Sequence, residues 1–579
     1  MRIRNSPRAG IAHPGGAKAL SKHRRMTACT PRGPEGSRAA FARASALAAL
    51  ATFLGASAPA VFPTHSAYAA SPYTNVRVDS SPFLDAEEVT IAVNPSNPSN
   101  LVAGANLNYV FYSNDGGLTW TQNRLTSSMG VWGDPCVEFD ALGNAYYAHL
   151  SWPGSSASWL DRIVVQKSRT GGATWDDGVG VGLNPPKDQD KEWLTADKTD
   201  SPYSGSLYLA WTQFDVLGST NPADSTRILF SHSTDGGATW SAPVRVSDLA
   251  GNAIDSDGTM EGAVPAVGPA GEVYMAWAGR DSIWFDRSLD GGGTWGRDRV
   301  VAAQPGGWDF AVPGLQRCDG MPATECDAGF SPYRGRIYVM FSDQRNGADN
   351  TDVFVCTSDD AGDTWSAPVR VNDDAGAAHQ FFPSMAVDPY TGFVHVVFYD
   401  RRNTVGDATD VYLATSTDGG ATFANVEISA SSFTPTSTVF FGDYTDIAAL
   451  GGMVRPIWMR MDNGDLTVWT ALVGLPTGVA EGRPPGSDAA FLEPNTPNPF
   501  NPTTSVAFRL EAPADVDLAV FDGHGARVST LFAGRAPAGR TVVRWNGTDA
   551  RGVRVASGVY FCRLFSGGRT HVRKMVLLK

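Results

Sequence analysis

Positive charge is scarce in this chain: 46 Lys and Arg stand against 59 Asp and Glu, for a formal charge of −13. Without a basic face to neutralise phosphates, nucleic acid is excluded as a partner. Cysteine is scarcer, six in 579 residues, and no Cys/His spacing resembles a zinc site. Beyond residue 62 no segment approaches the roughly 18 uninterrupted apolar residues of a membrane span. Strongly helical periodic stretches are few, and no Ser or His sits in a nucleophile motif. Gly and Pro, by contrast, are abundant at 62 and 37. The balance points to an all-β chain long enough for two or three domains.

What is present in quantity is one short motif. SNDGGLTW occupies Ser113–Trp120, SRTGGATW Ser168–Trp175, STDGGATW Ser233–Trp240, SLDGGGTW Ser288–Trp295, SDDAGDTW Ser358–Trp365 and STDGGATF Ser416–Phe423. Successive copies start 55, 65, 55, 70 and 58 residues apart. A period of this size means a stacked or radial array of one supersecondary unit. Locally the motif is turn chemistry: the Asp carboxylate accepts backbone N–H bonds, Gly takes positive φ, and Thr-Trp starts a strand.

These six copies resemble the Asp-box of the bacterial neuraminidase (BNR) repeat, found in sialidase-like β-propellers. In that family the box lies on the turn between the third and fourth strands of a blade, away from the active site. The resemblance therefore makes Asp115, Asp235, Asp290, Asp360 and Asp418 structural. The second copy has Thr170 at the Asp position, which a structural turn tolerates.

Seven strand-like segments follow a turn and are rich in β-branched and aromatic residues: 100–107, 144–152, 205–211, 271–277, 335–342, 392–399 and 452–458. Each lies between two further short strands, and six of the third strands run into a box. The seventh module, about 443–473, has three strands and no box. Closure leaves no free edge when the last blade borrows a strand from the other chain end. Thr74–Asp79 is the natural donor. The expectation is an all-β, sialidase-like propeller of seven blades, with six the alternative, followed by a small Ig-like sandwich.

The expected division is a signal region over 1–69, a propeller over 70–474, a Gly/Pro-rich linker over 475–494 and a C-terminal domain over 495–579. The apolar run Ala44–Phe62 follows Arg38 and Arg43, and Ala67–Ala69 offers a small-x-small cleavage site. Met26 is a candidate true start. The expected location is secreted or cell-surface, after cleavage near Ala69. The last domain resembles the FlgD-type Ig-like domain through Asn498–Pro502 (NPFNP), Val516–Asp522, Trp545-Asn546-Gly547, Ser557–Tyr560 and the ending Arg573–Lys579. That resemblance implies sorting or anchoring by type IX secretion, with the secretion machinery as partner. Of the cysteines left after cleavage, Cys318 and Cys326 bracket a short loop and are expected to form a disulfide.

In propellers the functional site is usually at the mouth of the central channel. Glu88, Asp134, Glu192, Glu261 and Asp443 stand before or at the innermost strands, although their register is uneven. Such a ring suits a cation held by oxygen ligands or an acid/base pair for glycoside cleavage. No cofactor is required, and a structural calcium ion stays open. After the second strands, SDQRN (342–346) and YDRRN (399–403) place Arg345 and Arg402 in adjacent modules, with Arg280 and Arg460 at similar positions. Guanidinium forks suit a carboxylate ligand, but each Asp-x-Arg can equally pair locally.

Sialidases bind the sialic acid carboxylate through three arginines, one in a Phe/Tyr-Arg-Ile/Leu-Pro motif near the first blade, and use a Tyr nucleophile activated by Glu. No such motif occurs here. Tyr444, beside Asp443 and Asp446, is the best local Tyr, with Asp443 and Glu192 as companion catalytic candidates. Asp255–Gly258 (DSDG) begins like a calcium loop but lacks the closing Glu, and reads as a turn. Two functions stay open: a secreted or surface propeller whose mouth binds a glycan or a protein, and a glycoside hydrolase of exo-sialidase type acting on acidic sugars.

Overall fold

The computed structural model describes residues 71–80, 86–152, 154, 160–329, 331–474, 490–492, 495–510, 512–522, 526–566 and 569–578. The signal region expected over 1–69, and the linker expected over 475–494 apart from 490–492, lie outside them. Among the described residues every named element is a strand. No helix there is long and apolar enough to cross a membrane.

From Thr74 to Gly474 the chain forms a β-propeller of small antiparallel sheets. The innermost strands are Thr90–Val93, Cys136–Phe139, Asp188–Ala196, Glu261–Val267, Ala323–Cys326, Gln380–Val387 and Asp446–Leu450. Each packs on the next in chain order, and Thr90–Val93 packs on Asp446–Leu450, so the inner strands form a closed ring. In the last sheet the order is Thr74–Arg77, Asp465–Gly474, Met453–Asp462, Asp446–Leu450. Its outermost strand therefore comes from the other end of the domain, antiparallel with Thr74 opposite Leu472 and Arg77 opposite Trp469.

Core forms between neighbouring sheets. Tyr208 and Phe230 of the third sheet pack with Val273, Met275 and Trp277 of the fourth. A strand covered on both faces and both edges has no polar side to present, so Leu207–Phe214 is buried at all eight residues. That is why the second strands read as nearly continuous apolar runs.

The boxes tie the third strand of a sheet to its neighbour. In the first, Ser113 Oγ accepts from Gly117 N–H at 2.9 Å, and Asp115 accepts from Thr119 N–H at 2.9 Å and from Thr119 Oγ1–H at 2.6 Å. The same bonds recur around Asp235, Asp290, Asp360 and Asp418. At Thr170 the hydroxyl takes over, accepting from Thr174 N–H at 2.9 Å. Gly292 has φ +89°, and a Cβ there would lie 2.5 Å from the Phe230 ring of the preceding sheet. Trp295, which closes that box, packs edge-on against the same ring at 4.9 Å.

The C-terminal domain pairs two sheets. One has the order Ala490–Leu492, Thr504–Leu510, Gly539–Trp545; the other Arg527–Ala536, Ala514–Phe521, Gly558–Ser566, Arg569–Leu577. Trp545 fills the space between them, against Tyr560 at 5.1 Å and Phe500 at 5.5 Å. Phe561 stacks on Tyr390 of the propeller at 4.2 Å.

Both cysteines of the expected disulfide are free and buried. Cys318 packs with Phe310, Val312 and Leu315, whereas Cys326 packs with Ile337 and Val339. The two thiols serve different cores, which corrects the expectation of a bridge.

The box bonds make a stability prediction. Asp418→Ala removes both acceptors of Thr422 and should cost about 1 kcal/mol, in the range of a lost cap. Thr170→Asp should raise the melting temperature slightly by restoring the full box. Thermal unfolding of the two variants checks this; an unchanged Tm for Asp418→Ala would refute the turn-closing role.

Candidate functional site at the channel mouth

At the mouth the inner strands depart from regular geometry. Glu88 (φ 54°), Asp134 (49°), Lys191 (54°) and Phe382 (47°) are left-handed, as is Gly262 (74°). Such conformations strain non-glycine residues by about 1–3 kcal/mol each. Register slips occur between Asp190 and Trp193, between Glu261 and Val264, and between Phe381 and Ser384. A bulge re-aims side chains that strict alternation would place elsewhere. This is the physical origin of the uneven spacing of the acidic residues in the sequence.

The strained segments build one charged cluster. The Asn106 amide donates to Glu88, and its Oδ1 accepts from Asp134 N–H at 2.8 Å. Lys191 Nζ reaches Asp443 Oδ2 at 3.4 Å and lies 4.4 Å from the centre of the Tyr444 ring. Arg317 bridges Asp443 at 3.3 Å and Asp255 at 3.2 Å. Asp319 Oδ1 accepts from Met321 N–H at 3.1 Å. Its Oδ2, Oε2 of Glu261 and both carboxyl oxygens of Glu192 are buried without a hydrogen-bond partner.

The electrostatics follow from burial and crowding. Burial opposes the charge of Lys191, but Asp443, Glu88, Asp134 and Asp319 outweigh it and raise its pKa. The same contest at Arg317 is won by Asp443, Asp255 and Glu261. Burial, then Asp134, pushes Glu192 well above the carboxylate range. Burial, then Asp255, does so at Glu261. Asp319 is pushed up to about 7 by burial and Asp443, against the pull of Lys191 and Arg317. Acids with raised pKa values and ion-paired carboxylates therefore stand side by side, the pattern that separates acid from base roles at reactive sites.

Of the residues expected at the site, Glu88, Asp134, Glu192, Glu261, Asp443 and Tyr444 meet in this cluster. The four arginines do not. Arg345 pairs with Asp343 at 2.6 Å and lies over the Phe354 ring at 4.2 Å. Arg402 pairs with Asp400 at 2.7 Å and lies over Tyr412 at 4.5 Å. Arg460 pairs with Asp462 at 2.8 Å, and Arg280 donates to the Ala250 carbonyl at 2.5 Å. These side chains start from second strands, one strand away from the axis, and are held locally in the loops, so the expected arginine set is not assembled from them. Nor is Tyr444 activated by a carboxylate. Its hydroxyl donates to the Pro135 carbonyl at 3.3 Å, and burial followed by Glu88 and Asp134 raises its pKa well above the ordinary value.

The sequence reading missed Lys191, Asp255, Arg317 and Asp319. Lys191 adjoins Glu192 and was within reach of the same argument. Asp255 begins the segment read as a turn, and Arg317 and Asp319 flank Cys318 in the loop read as a disulfide. Among the described residues no group of His, Cys, Asp and Glu is placed to hold a metal ion.

The segment just before Asp134 carries Trp132. Trp132 N–H donates to the Leu150 carbonyl at 2.9 Å, and Leu150 N–H to the Gly133 carbonyl at 3.0 Å. This pairing sets Trp132 edge-on to Trp152, with centroids 4.4 Å apart, and leaves Trp152 42% exposed. Further along the channel, the inner strands enclose a cavity of about 470 Å³, lined by Thr195, Val264, Ala323, Glu325, Val387 and Ala448 among others. There Asp446 accepts from Thr90 Oγ1 at 3.0 Å, Ile91 N–H at 2.8 Å and Ser384 Oγ at 3.3 Å, crosslinking three inner strands.

Comparison with known proteins gives two domain matches. Residues 205–439 match the BNR repeat-like domain, and residues 495–564 match the FlgD Ig-like domain. No curated protein matches the chain. Similar solved structures include a protein of unknown function from Dyadobacter fermentans, 15% identical, covering 59% of this chain and 94% of that one, TM-score 0.37. A polysaccharide lyase of family PL25, an ulvan lyase bound to -[GlcA(1-4)Rha3S]-, is 12% identical over 68% of this chain and 95% of its own, TM-score 0.43. The α-L-arabinanase of Penicillium chrysogenum, complexed with arabinobiose, is 14% identical over 58% and 92%, TM-score 0.38.

The two carboxyl populations act on stability with opposite signs. Box Asp235 and Asp360 are held down at about 2 by their Thr partners, so their contribution is complete above the unfolded value of about 4 and is lost as pH falls through about 2. Asp319, raised to about 7, favours folding below the unfolded value and loses that contribution as pH rises through about 7. Tm should therefore peak on the acid side of neutrality. Asp319→Asn should flatten the decline between about pH 4 and 7. A parallel decline in parent and variant would refute the assignment.

Proposed function

Taking the chain as a BNR-repeat β-propeller followed by a FlgD Ig-like domain, we propose that its channel mouth is a carbohydrate-binding site on an exported protein. The observation that carries this reading is the exposed Trp152, braced by Trp132, which stands two residues before Asp134 of the recessed cluster. A sugar ring has an apolar face that lies on an indole, and hydroxyls that need both kinds of hydrogen-bond partner. Lys191 and Arg317 donate; the carboxyl groups accept.

The apolar run 44–62 and the small-residue site at 67–69 support export. The match of the last domain supports a role in sorting or anchoring through the secretion machinery. The expected preference for acidic sugars is not favoured. Seven carboxyl groups (Glu88, Asp134, Glu192, Asp255, Glu261, Asp319 and Asp443) surround two cations that already have acidic partners. An anionic ligand would meet net repulsion.

One observation favours a second reading, a glycoside hydrolase. Glu192 is a buried acid that burial and then Asp134 push well above the carboxylate range, and nearby Lys191 is paired with Asp443. A proton donor beside an ionised carboxylate is what glycoside cleavage requires.

Titration of the full chain with a panel of neutral and charged oligosaccharides, followed by tryptophan fluorescence, tests the binding reading. Trp152→Ala should weaken binding about tenfold, the scale of one lost aromatic contact. Arg345→Ala and Arg402→Ala should bind like the parent. Fluorogenic glycosides test the second reading: a sialoside should not turn over, and turnover of another glycoside that vanishes in Glu192→Gln would replace binding with hydrolysis. Absence of binding to every sugar would retire the carbohydrate reading.

A further inference from the structure

The propeller axis holds a second feature, away from the mouth. None of the charged residues of the mouth cluster lines the cavity of about 470 Å³ that the inner strands enclose. Trp193, two residues after Lys191, lines its inner end and packs edge-on against Tyr444 at 5.7 Å. Turns that follow the inner strands line the other end, where Lys198 and Asp200 are exposed and solvent enters. Between the two ends the wall is largely apolar, with Ile91, Val137, Val264, Ala266, Val387 and Ile447. Its volume and lining are those of a small-molecule site.

One acid in this wall is left uncompensated. In the strand Ala323–Cys326, Thr324 is buried and accepts from Ala276 N–H of the preceding sheet at 3.0 Å. Alternation turns Glu325 to the opposite face, where it lines the cavity and keeps part of its surface open to it. Its carboxyl meets the Cys326 N–H, and among the described residues no side chain donates to it. The other charges are committed. Lys198 pairs with Glu138 at 2.8 Å, Arg334 donates to the Ala328, Gly329 and Pro269 carbonyls, and Asp446 accepts from Thr90, Ile91 and Ser384. Burial pushes Glu325 up to about 8; Lys198 pulls against that, while Glu138 and Asp446 add to the rise. The strands on either side, Glu261–Val267 and Gln380–Val387, bring only uncharged residues to the cavity, and burial keeps the Cys326 thiol and the Tyr390 phenol neutral.

The ligand class follows from this imbalance. A carboxyl in an apolar channel is best satisfied by donors that also carry positive charge. The acids of the cavity are not grouped to hold a metal ion. An alcohol would bring a donor without charge, and a carboxylate neither. A primary ammonium brings three donors and the charge together. We infer that the channel cavity binds a small amphipathic amine, seated with its ammonium on Glu325 and its apolar part against the channel wall. This site is separate from the carbohydrate reading of the mouth and stands or falls without it.

The full chain is titrated by calorimetry with phenethylamine, 2-phenylethanol and phenylacetate at about pH 7, where the amine is fully charged. The amine should bind about tenfold more tightly than the alcohol, the scale of one charge contact, and phenylacetate should bind most weakly. Seating the ammonium ionises Glu325, whose proton passes to the buffer while the amine keeps its own. The measured heat should therefore vary with the buffer's ionisation enthalpy, and the affinity should rise with pH up to about 8. Glu325→Gln, nearly isosteric, should lose both the preference for the amine and the proton release. Ala448→Leu, which fills part of the cavity, should weaken amine and alcohol together, with each variant's fold checked by its Tm. Binding of none of the three probes, or equal affinity for amine and alcohol, would overturn the inference. So would amine binding without proton release, or a preference that survives Glu325→Gln or is untouched by Ala448→Leu.

Discussion

The structure depends on the pairing of Thr74–Arg77 with Asp465–Gly474. A ring of small sheets is stable only if no sheet is left with an open edge, and this contact joins the two ends of the propeller. It is reinforced beyond the ladder. Val78 N–H donates to the Val468 carbonyl, Val468 N–H returns to Asp79 Oδ1 at 2.8 Å, and Arg77 holds the Asp79 carboxylate at 2.6 Å. Asn75 also donates to the Ile428 carbonyl and accepts from Ala430 N–H, tying the closing strand to the preceding sheet. Closure brings all the inner strands around one axis, so carboxyl groups hundreds of residues apart share one mouth.

The two ends of the inner strands obey different rules. At the end away from the mouth the turns satisfy themselves. Asp140 accepts from Leu142 and Asn144 N–H, Asp197 from Thr199, and Asp388 from Tyr390, Gly451 and Gly452. These carboxylates and those of the boxes are occupied within their own turns or by the adjoining sheet, as turn chemistry prescribes. At the mouth the order is reversed, with left-handed φ angles, bulged strands and acids lacking partners. Local rules hold where the chain only needs to turn and fail where side chains converge.

This difference also sets what could be read in the sequence. Boxes, strands and the closing segment are encoded by contiguous residues, and Ser113–Trp120 and its copies announce themselves by repetition. The mouth is encoded by contacts across the ring. Arg317 meets Asp255 and Asp443, which come from segments before two different inner strands, and no spacing rule links them. Bulges shifted the register at Lys191 and Glu192, so alternation could not say which side chain faces the axis. The arginines misled for a related reason. Arg345 and Arg402 repeat faithfully, but a repeated position on the second strand repeats a local pair with Asp343 and Asp400, not a convergence. Cys318 and Cys326 are close in sequence yet enter different cores, because the chain between them crosses from one packing layer to another.

Repetition in a ring has an electrostatic consequence. Placing an acid at several equivalent positions around an axis brings like charges together as the ring closes, and each added carboxylate raises the cost of the next. The cluster limits that cost in two ways: Lys191 and Arg317 are drawn in to neutralise Asp443 and its neighbours, and Glu192, Glu261 and Asp319 hold their protons more tightly than an exposed acid does. A structural role would be better served by apolar residues of similar volume, since buried ionic groups rarely outperform them in stability. The excess of acceptors at the mouth is thus a standing cost to the fold, the electrostatic feature that sets this end of the ring apart from an apolar core.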